Sequence, residues 1–249
     1  MKLLITNDDG INSKPMLGLA EFMAESGHDV TVVAPEVEMS AVSHAITMHD
    51  PIRVKKLPSK NSCTCYSING TPADCVKIAL EVIMEKKPDW IISGINKGLN
   101  LGSDIFYSGT LSAAMEGWFH GIPSIALSSP LNSIADSDFV YGFFNNSIFK
   151  PLIKSRCKGL FNINFPNSAD FSKIIITELG TLKYVNIYNE RIDPRGNTYY
   201  WLSGEISNEV KNNVSTDIHA VQNGFVSLTP INTDMTDYDR ISELKSCFR

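Results

Sequence analysis

From Lys2 to Ser128, short β-branched runs alternate with segments whose apolar residues recur at helical spacing, and few architectures accept that alternation. Lys2–Thr6 is an apolar run, and Met16, Leu19, Ala20 and Met23 follow it at i, i+3, i+4 and i+7. Pro15 suits the first turn of that helix and Gly27 its end. Val30–Ala34 is a second strand closed by Pro35, with Ile52–Leu57 and Cys65–Ile68 as further candidates. Thr71-Pro72-Ala73-Asp74 opens a second helix: Thr caps it, Pro fits its first position, and Asp74 favours its positive end. Val76, Ala79, Leu80 and Ile83 continue that helix as a stripe. Trp90–Ser93 reads as a buried strand, Leu111, Ala114, Met115 and Trp118 as a third helix, and Ile125–Ser128 as the strand that closes the series. Strands alternating with amphipathic helices predict an α/β fold, a doubly wound, mostly parallel, Rossmann-like sheet covered on both faces. Ligands of such sheets bind in the crevice beyond the carboxyl ends of the strands.

The later chain changes character. Tyr184 to Trp201 is rich in Tyr, Ile, Asn and Asp around Pro194-Arg195-Gly196-Asn197, which predicts a β-hairpin arm. One more strand at Gly224–Leu228 and a short terminal helix are expected in 216–249. We therefore divide a single overall domain into an α/β catalytic core, 1–180, and an arm with a C-terminal segment, 181–249, packing on the core or on a neighbouring subunit.

With 249 residues the chain buries enough surface to need neither disulfide nor structural metal. Its 22 Lys+Arg against 27 Asp+Glu argue against a nucleic-acid partner, and no run approaches the length of a membrane helix. Met1 to Gly10 is too short and too acidic for a signal-peptide core. Five scattered cysteines, without C-x-x-C spacing, predict reduced thiols in a cytoplasmic protein and no zinc site.

Four motifs fall just after predicted strands, at one edge of the sheet. Asn7-Asp8-Asp9-Gly10 offers paired carboxylates for a hard divalent cation, although the same tetrapeptide reads as an Asx turn. Ser93-Gly94-Ile95-Asn96-Lys97-Gly98-Leu99-Asn100-Leu101-Gly102 is a backbone-rich loop, but neither G-x-G-x-x-G nor a P-loop. Tyr107-Ser108-Gly109-Thr110 precedes the third helix, where hydroxyls and free amides suit a phosphate; ordinary capping explains it equally. Ser40-Ala41-Val42-Ser43-His44 lies in the loop after the second strand, with His44 and His49 read as solvated. No G-x-S-x-G elbow is present, which argues against a serine hydrolase. Together the motifs describe metal-assisted phosphoester hydrolysis.

The chain resembles the SurE family, the stationary-phase survival proteins that are metal-dependent nucleoside monophosphate phosphatases. LLITNDDGI, VVAPEVEMSAVSHAIT, NGTPADCVKIAL, PDWIISGINKGLNLGSDIFYSGTLSAAMEG, DPRGNTYYWL and TDIHAVQNGFVSLTPI carry the likeness over nearly the whole chain. It implies metal ligands at Asp8, Asp9, Ser40 and Asn96, and a phosphate pocket at Ser108, Gly109 and Thr110 with Asn96 nearby. The family's Ser-Gly-x-Ser is here Ser40-Ala41-Val42-Ser43, a departure that bears on the loop's conformation. The resemblance also implies an arm and C-terminal segment exchanged between subunits of a homodimer or homotetramer. The expected activity is hydrolysis of 5'- and 3'-nucleoside monophosphates, and of short polyphosphate, with one Mg²⁺ or Mn²⁺ per subunit and Asp8 and Asp9 as the catalytic carboxylates.

Three rivals remain distinct from this reading. An aspartyl-phosphate enzyme wants D-x-D after the first strand, and a receiver domain is about half this length with its acceptor on a later strand. A non-catalytic nucleotide-binding protein would not need to keep all four ligands.

Overall fold

The computed structural model describes residues 1–58, 63–130, 134–167, 173–207 and 213–248. In chain order the elements are β1 (Lys2–Thr6), α1 (Lys14–Glu25), β2 (Asp29–Pro35), β3 (Val54–Lys56), β4 (Thr64–Ile68), α2 (Pro72–Ile78), β5 (Trp90–Lys97), α3 (Gly109–Phe119) and β6 (Ser124–Ser129). They continue with α4 (Ile134–Phe143), α5 (Lys150–Ser155), β7 (Leu160–Asn164), β8 (Ile174–Ile176), β9 (Tyr184–Val185), β10 (Tyr188–Ile192), β11 (Thr198–Leu202), β12 (Glu205–Ile206), α6 (Asp217–Gln222), β13 (Val226–Ile231) and α7 (Tyr238–Cys247).

Nine strands form one sheet in the order β3-β4-β2-β1-β5-β6-β7-β13-β8. From β4 to β7 the neighbours are parallel; β3 and β13 run antiparallel to their partners β4 and β7. The alternation of side chains explains the apolar runs. Leu3, Ile5, Val32 and Ile92 join the core under α1 and α4, whereas Leu4, Val33 and Ile91 join the core under α2. A strand covered on both faces has no polar side to alternate with.

The chain leaves β1 towards β2 and β4, then returns to lay β5 on the other flank of β1. The topological switch point therefore lies between β1 and β5, and the loops after both strands border its crevice.

The series does not close at β6, as the sequence suggested, but continues through α4 and α5 to β7. Phe144 and Phe149, buried completely in the core, lie in the irregular helical turn between those helices. Gly142, Asn145, Asn146 and Pro151 interrupt the apolar spacing there, which hides the helices from a periodicity reading. Helix α6, a single capped stretch, was also missed; Thr216 caps it by accepting from His219 N–H. β13 begins later than expected, at Val226, and inserts between β7 and β8, so the C-terminal segment completes the main sheet.

The arm is a hairpin of β10 and β11, with β9 and β12 pairing at its base. Its Asp193–Asn197 turn is closed by Asp193, which accepts from Arg195 N–H, Asn197 N–H and Asn197 Nδ2.

Candidate active site

The end of β1 holds both readings of its tetrapeptide at once. Asn7 makes the Asx turn: its Nδ2 donates to the Gly10 carbonyl and its Oδ1 accepts from Gly10 N–H. That frees Asp8 and Asp9 for the crevice. Gly10, at φ +92°, meets the loop after β2 so closely that a Cβ would lie 3.1 Å from the Val37 carbonyl carbon.

Asp8 is buried, and its Oδ1 accepts from the Thr110 hydroxyl at 2.5 Å. The start of α3 presses against it; a Cβ on Gly109 would sit 2.9 Å from Asp8 Cβ and 3.0 Å from its Oδ2. Burial raises the Asp8 carboxyl above the usual carboxylate range, and the Thr110 hydrogen bond opposes that rise. Asp9 is pushed up to about 6, first by desolvation and then by the Asp8 charge, with the Lys97 backbone N–H working the other way. Its Oδ2 is buried with no hydrogen-bond partner among the described residues. Two adjacent carboxylates held out of water, one oxygen of them orphaned, form a site that a cation completes.

Sequence reading placed the end of the next strand at Ser93. In the structure β5 runs on to Lys97, and its register against β6 slips between Ser93 and Asn96. Such a bulge re-aims the residues after it. Asn96 then lies at the strand's end, its Nδ2 donating to the Gly98 carbonyl, which leaves its Oδ1 as a donor to a metal. Lys97, next to Asn96, faces Asp9.

The loop after β2 is tied to the same edge. Met39 N–H donates to the Asp8 carbonyl and Ser43 N–H to the Tyr107 carbonyl. Ser40 is exposed between those ties, its hydroxyl donating to Glu38 Oε1 at 2.6 Å. Ser40 therefore reaches the crevice edge through its backbone, while its oxygen retains lone pairs for a ligand.

Ala41 and Ser43 both adopt left-handed backbone, at φ +55° and +53°. The residue that departs from Ser-Gly-x-Ser is thus one where glycine fits without strain. An alanine there costs about 1–2 kcal/mol, less the extra freedom that glycine has in the unfolded chain. Ala41→Gly is expected to raise the thermal midpoint by about 2–4 °C. A midpoint that falls would show that the left-handed turn carries no strain.

At the start of α3 the hydroxyls have structural work. Ser108 is the N-cap, accepting from Leu111 N–H, and Thr110 serves Asp8 through both its hydroxyl and its backbone N–H. The Thr110 proton is thus committed to Asp8, while the Ser108 O–H and the amides of the helix N-terminus remain as donors for an anion. No local pattern signals the Asp8–Thr110 bond, which spans 102 positions. Sequence reading also missed the partner of His44. That ring is not a solvated loop side chain; its Nε2 lies 2.8 Å from Glu116 Oε2 on α3.

The model of the family described as "Survival protein SurE" matches residues 3–186. A protein named 5'-nucleotidase SurE from Caldanaerobacter subterraneus subsp. tengcongensis is 49% identical, over 98% of this chain and 96% of its own. Another of that name, from Thermoanaerobacter sp., is 48% identical over 99% and 98%. The crystal structure of the SurE protein from Aquifex aeolicus is 35% identical and superposes with a TM-score of 0.73, covering all of both chains. By sequence over nearly its whole length, and by fold, this chain belongs to the SurE family.

Proposed function

We propose that the chain is a divalent-metal-dependent phosphatase, hydrolysing 5'- and 3'-nucleoside monophosphates to nucleoside and phosphate, and short polyphosphate as well. Relatives nearly half identical to it bear the name 5'-nucleotidase. The observation that carries the reading is the pair Asp8 and Asp9 at the switch point, with Asp8 pressed by the start of α3 and Asp9 Oδ2 buried with no hydrogen-bond partner among the described residues.

The donor set fits a hard cation. Asp8, Asp9, Ser40 and Asn96 offer oxygens, the donor type that Mg²⁺ and Mn²⁺ take. Bound there, Mg²⁺ or Mn²⁺ supplies positive charge that polarises a phosphoryl oxygen and acidifies a water. Asp8 is held in place by Thr110, and Asp9 Oδ2 orients the attacking water. The N-terminus of α3, with the Gly109 amide, stabilises charge gathering on the phosphoryl oxygens. Ser108 keeps that helix start in shape.

Residues 1–180 carry this chemistry, and 181–249 supply the arm and the segment that packs on the core. No two of the described cysteines are joined, and no described helix is long and apolar enough to cross a membrane. We place the protein in the cytoplasm and expect neither a membrane nor a nucleic acid as a partner. The test is phosphate release from a panel of 5'- and 3'-nucleoside monophosphates and tripolyphosphate. Release from the nucleotides is expected; a panel on which none of them is cut refutes the reading.

The arm implies assembly into a homodimer or homotetramer. Tyr188, Ile192 and Tyr200 on one face and Trp201 on the other are all at least 59% exposed. A lone hairpin with both faces wet is marginal, and aromatic enrichment marks an interface. Deleting 187–199 is expected to shift the protein to monomer in light scattering and to lower turnover, with every proposed ligand retained. A deletion variant of unchanged mass and rate removes the arm from the account.

A further inference from the structure

The loop that carries Ser40 is held by more than its ends. His44 Nε2 donates to Glu116 Oε2 at 2.8 Å, and the His44 ring lies flat on Phe119, centroids 5.7 Å apart. Glu116 is buried on α3, and its other oxygen takes Lys77 Nζ at 3.0 Å and His120 Nε2 at 3.2 Å. His120 in turn faces Glu81 at 3.7 Å. Further on, Asp74 accepts the Thr47 hydroxyl at 2.6 Å, and Thr71 donates to the Ala45 carbonyl at 2.7 Å. Helix α3 thus touches the crevice twice: at its start through Thr110 on Asp8, and about two turns on through Glu116 on His44.

The segment so held is the one that contains left-handed Ala41 and Ser43. Nothing within it favours that conformation, since neither residue is glycine or asparagine. Its outer ties must therefore hold it. A carboxylate is well suited to the task if it stays charged. The His44 hydrogen bond, with Lys77 adding to it, draws the Glu116 carboxyl down to about 2.

We propose that His44 and Glu116 are positioning residues for the metal site: their clasp holds the strained 40–43 turn, and with it Ser40, at the crevice edge where Asp8 and Asp9 stand. This rests on the reading of Ser40 as a ligand. A loop with glycine at position 41 would need the clasp less.

The test uses the intact protein and the variants His44→Ala, His44→Gln, Ser40→Ala and His44→Ala combined with Ala41→Gly. Amide hydrogen exchange at Ser43 and Thr47 is followed without metal, and Mn²⁺ affinity is measured by calorimetry. His44→Ala is expected to speed Ser43 exchange and weaken Mn²⁺ binding about tenfold, the scale on which residues behind a ligand act. Its kcat should fall with KM little changed. Gln, which keeps a donor to Glu116, should restore affinity to within about threefold, and Ala41→Gly should recover much of the loss by removing the strain. If Ser40→Ala weakens Mn²⁺ binding but His44→Ala changes neither exchange nor affinity, the clasp proposal is overturned while the metal site stands. The proposal is likewise overturned if His44→Ala lowers only the melting temperature, or if Ala41→Gly recovers nothing. If Ser40→Ala leaves affinity unchanged, Ser40 is no ligand and both readings fail together.

Discussion

Asp9→Asn is expected to lower phosphate release at least about a hundredfold while the fold persists, the scale on which removal of one key electrostatic stabiliser acts. The substitution keeps the shape of a side chain whose Oδ2 has no protein partner, so little packing is lost. What disappears is the negative charge that holds a cation. Stability should move the other way. With its carboxyl raised from 3.8 to about 6, metal-free folded protein binds more protons than the unfolded chain across that interval, and its stability declines as pH rises through it. Asparagine carries no such cost. At pH 7 in chelator, the variant should melt at or above the wild-type temperature. A variant with near wild-type turnover would assign Asp9 to the turn and not to the site.

Gly94→Ala is expected to be the most damaging change in β5, the strand that carries Asn96. Gly94 sits at φ +132°, and a Cβ there would lie 2.3 Å from the Leu127 carbonyl oxygen of the neighbouring strand. A backbone atom of a central strand cannot step aside, as a flexible side chain does. The bulge that displaces Asn96 relative to β6 must reorganise. We expect a loss of about 3–5 kcal/mol in denaturant unfolding, within the range of severe single substitutions, and loss of the Mn²⁺ site. A chemical midpoint within experimental scatter of wild type would show that the bulge tolerates a side chain.

How far the sequence carried depended on the range of the interactions. The parallel core was legible because β1, β2, β5 and β6 are buried on both faces and so read as largely apolar runs. The capping box at Thr71 was legible because it closes within four residues. Asn96 was assigned through the family resemblance; its place at the end of β5 was not legible, since a bulge built on Gly94 leaves no local period to follow. The α4–α5 region failed for a related reason: its helical turns change pitch between Phe144 and Phe149. The bonds from Thr110 to Asp8 and from His44 to Glu116 were illegible, because each joins residues more than 70 positions apart that only the sheet order brings together. Ser108 was read both as a cap and as a phosphate contact; its Oγ takes the capping hydrogen bond, and its O–H remains a donor.

The central claim is that a divalent cation on Asp8, Asp9, Ser40 and Asn96 drives phosphate release. It is tested most directly by one assay with a 5'-nucleoside monophosphate, before chelation, after exhaustive chelation verified by metal analysis, and after adding Mg²⁺ or Mn²⁺. The account predicts that phosphate release stops on chelation and returns with either cation. Full activity in verified metal-free protein would contradict it.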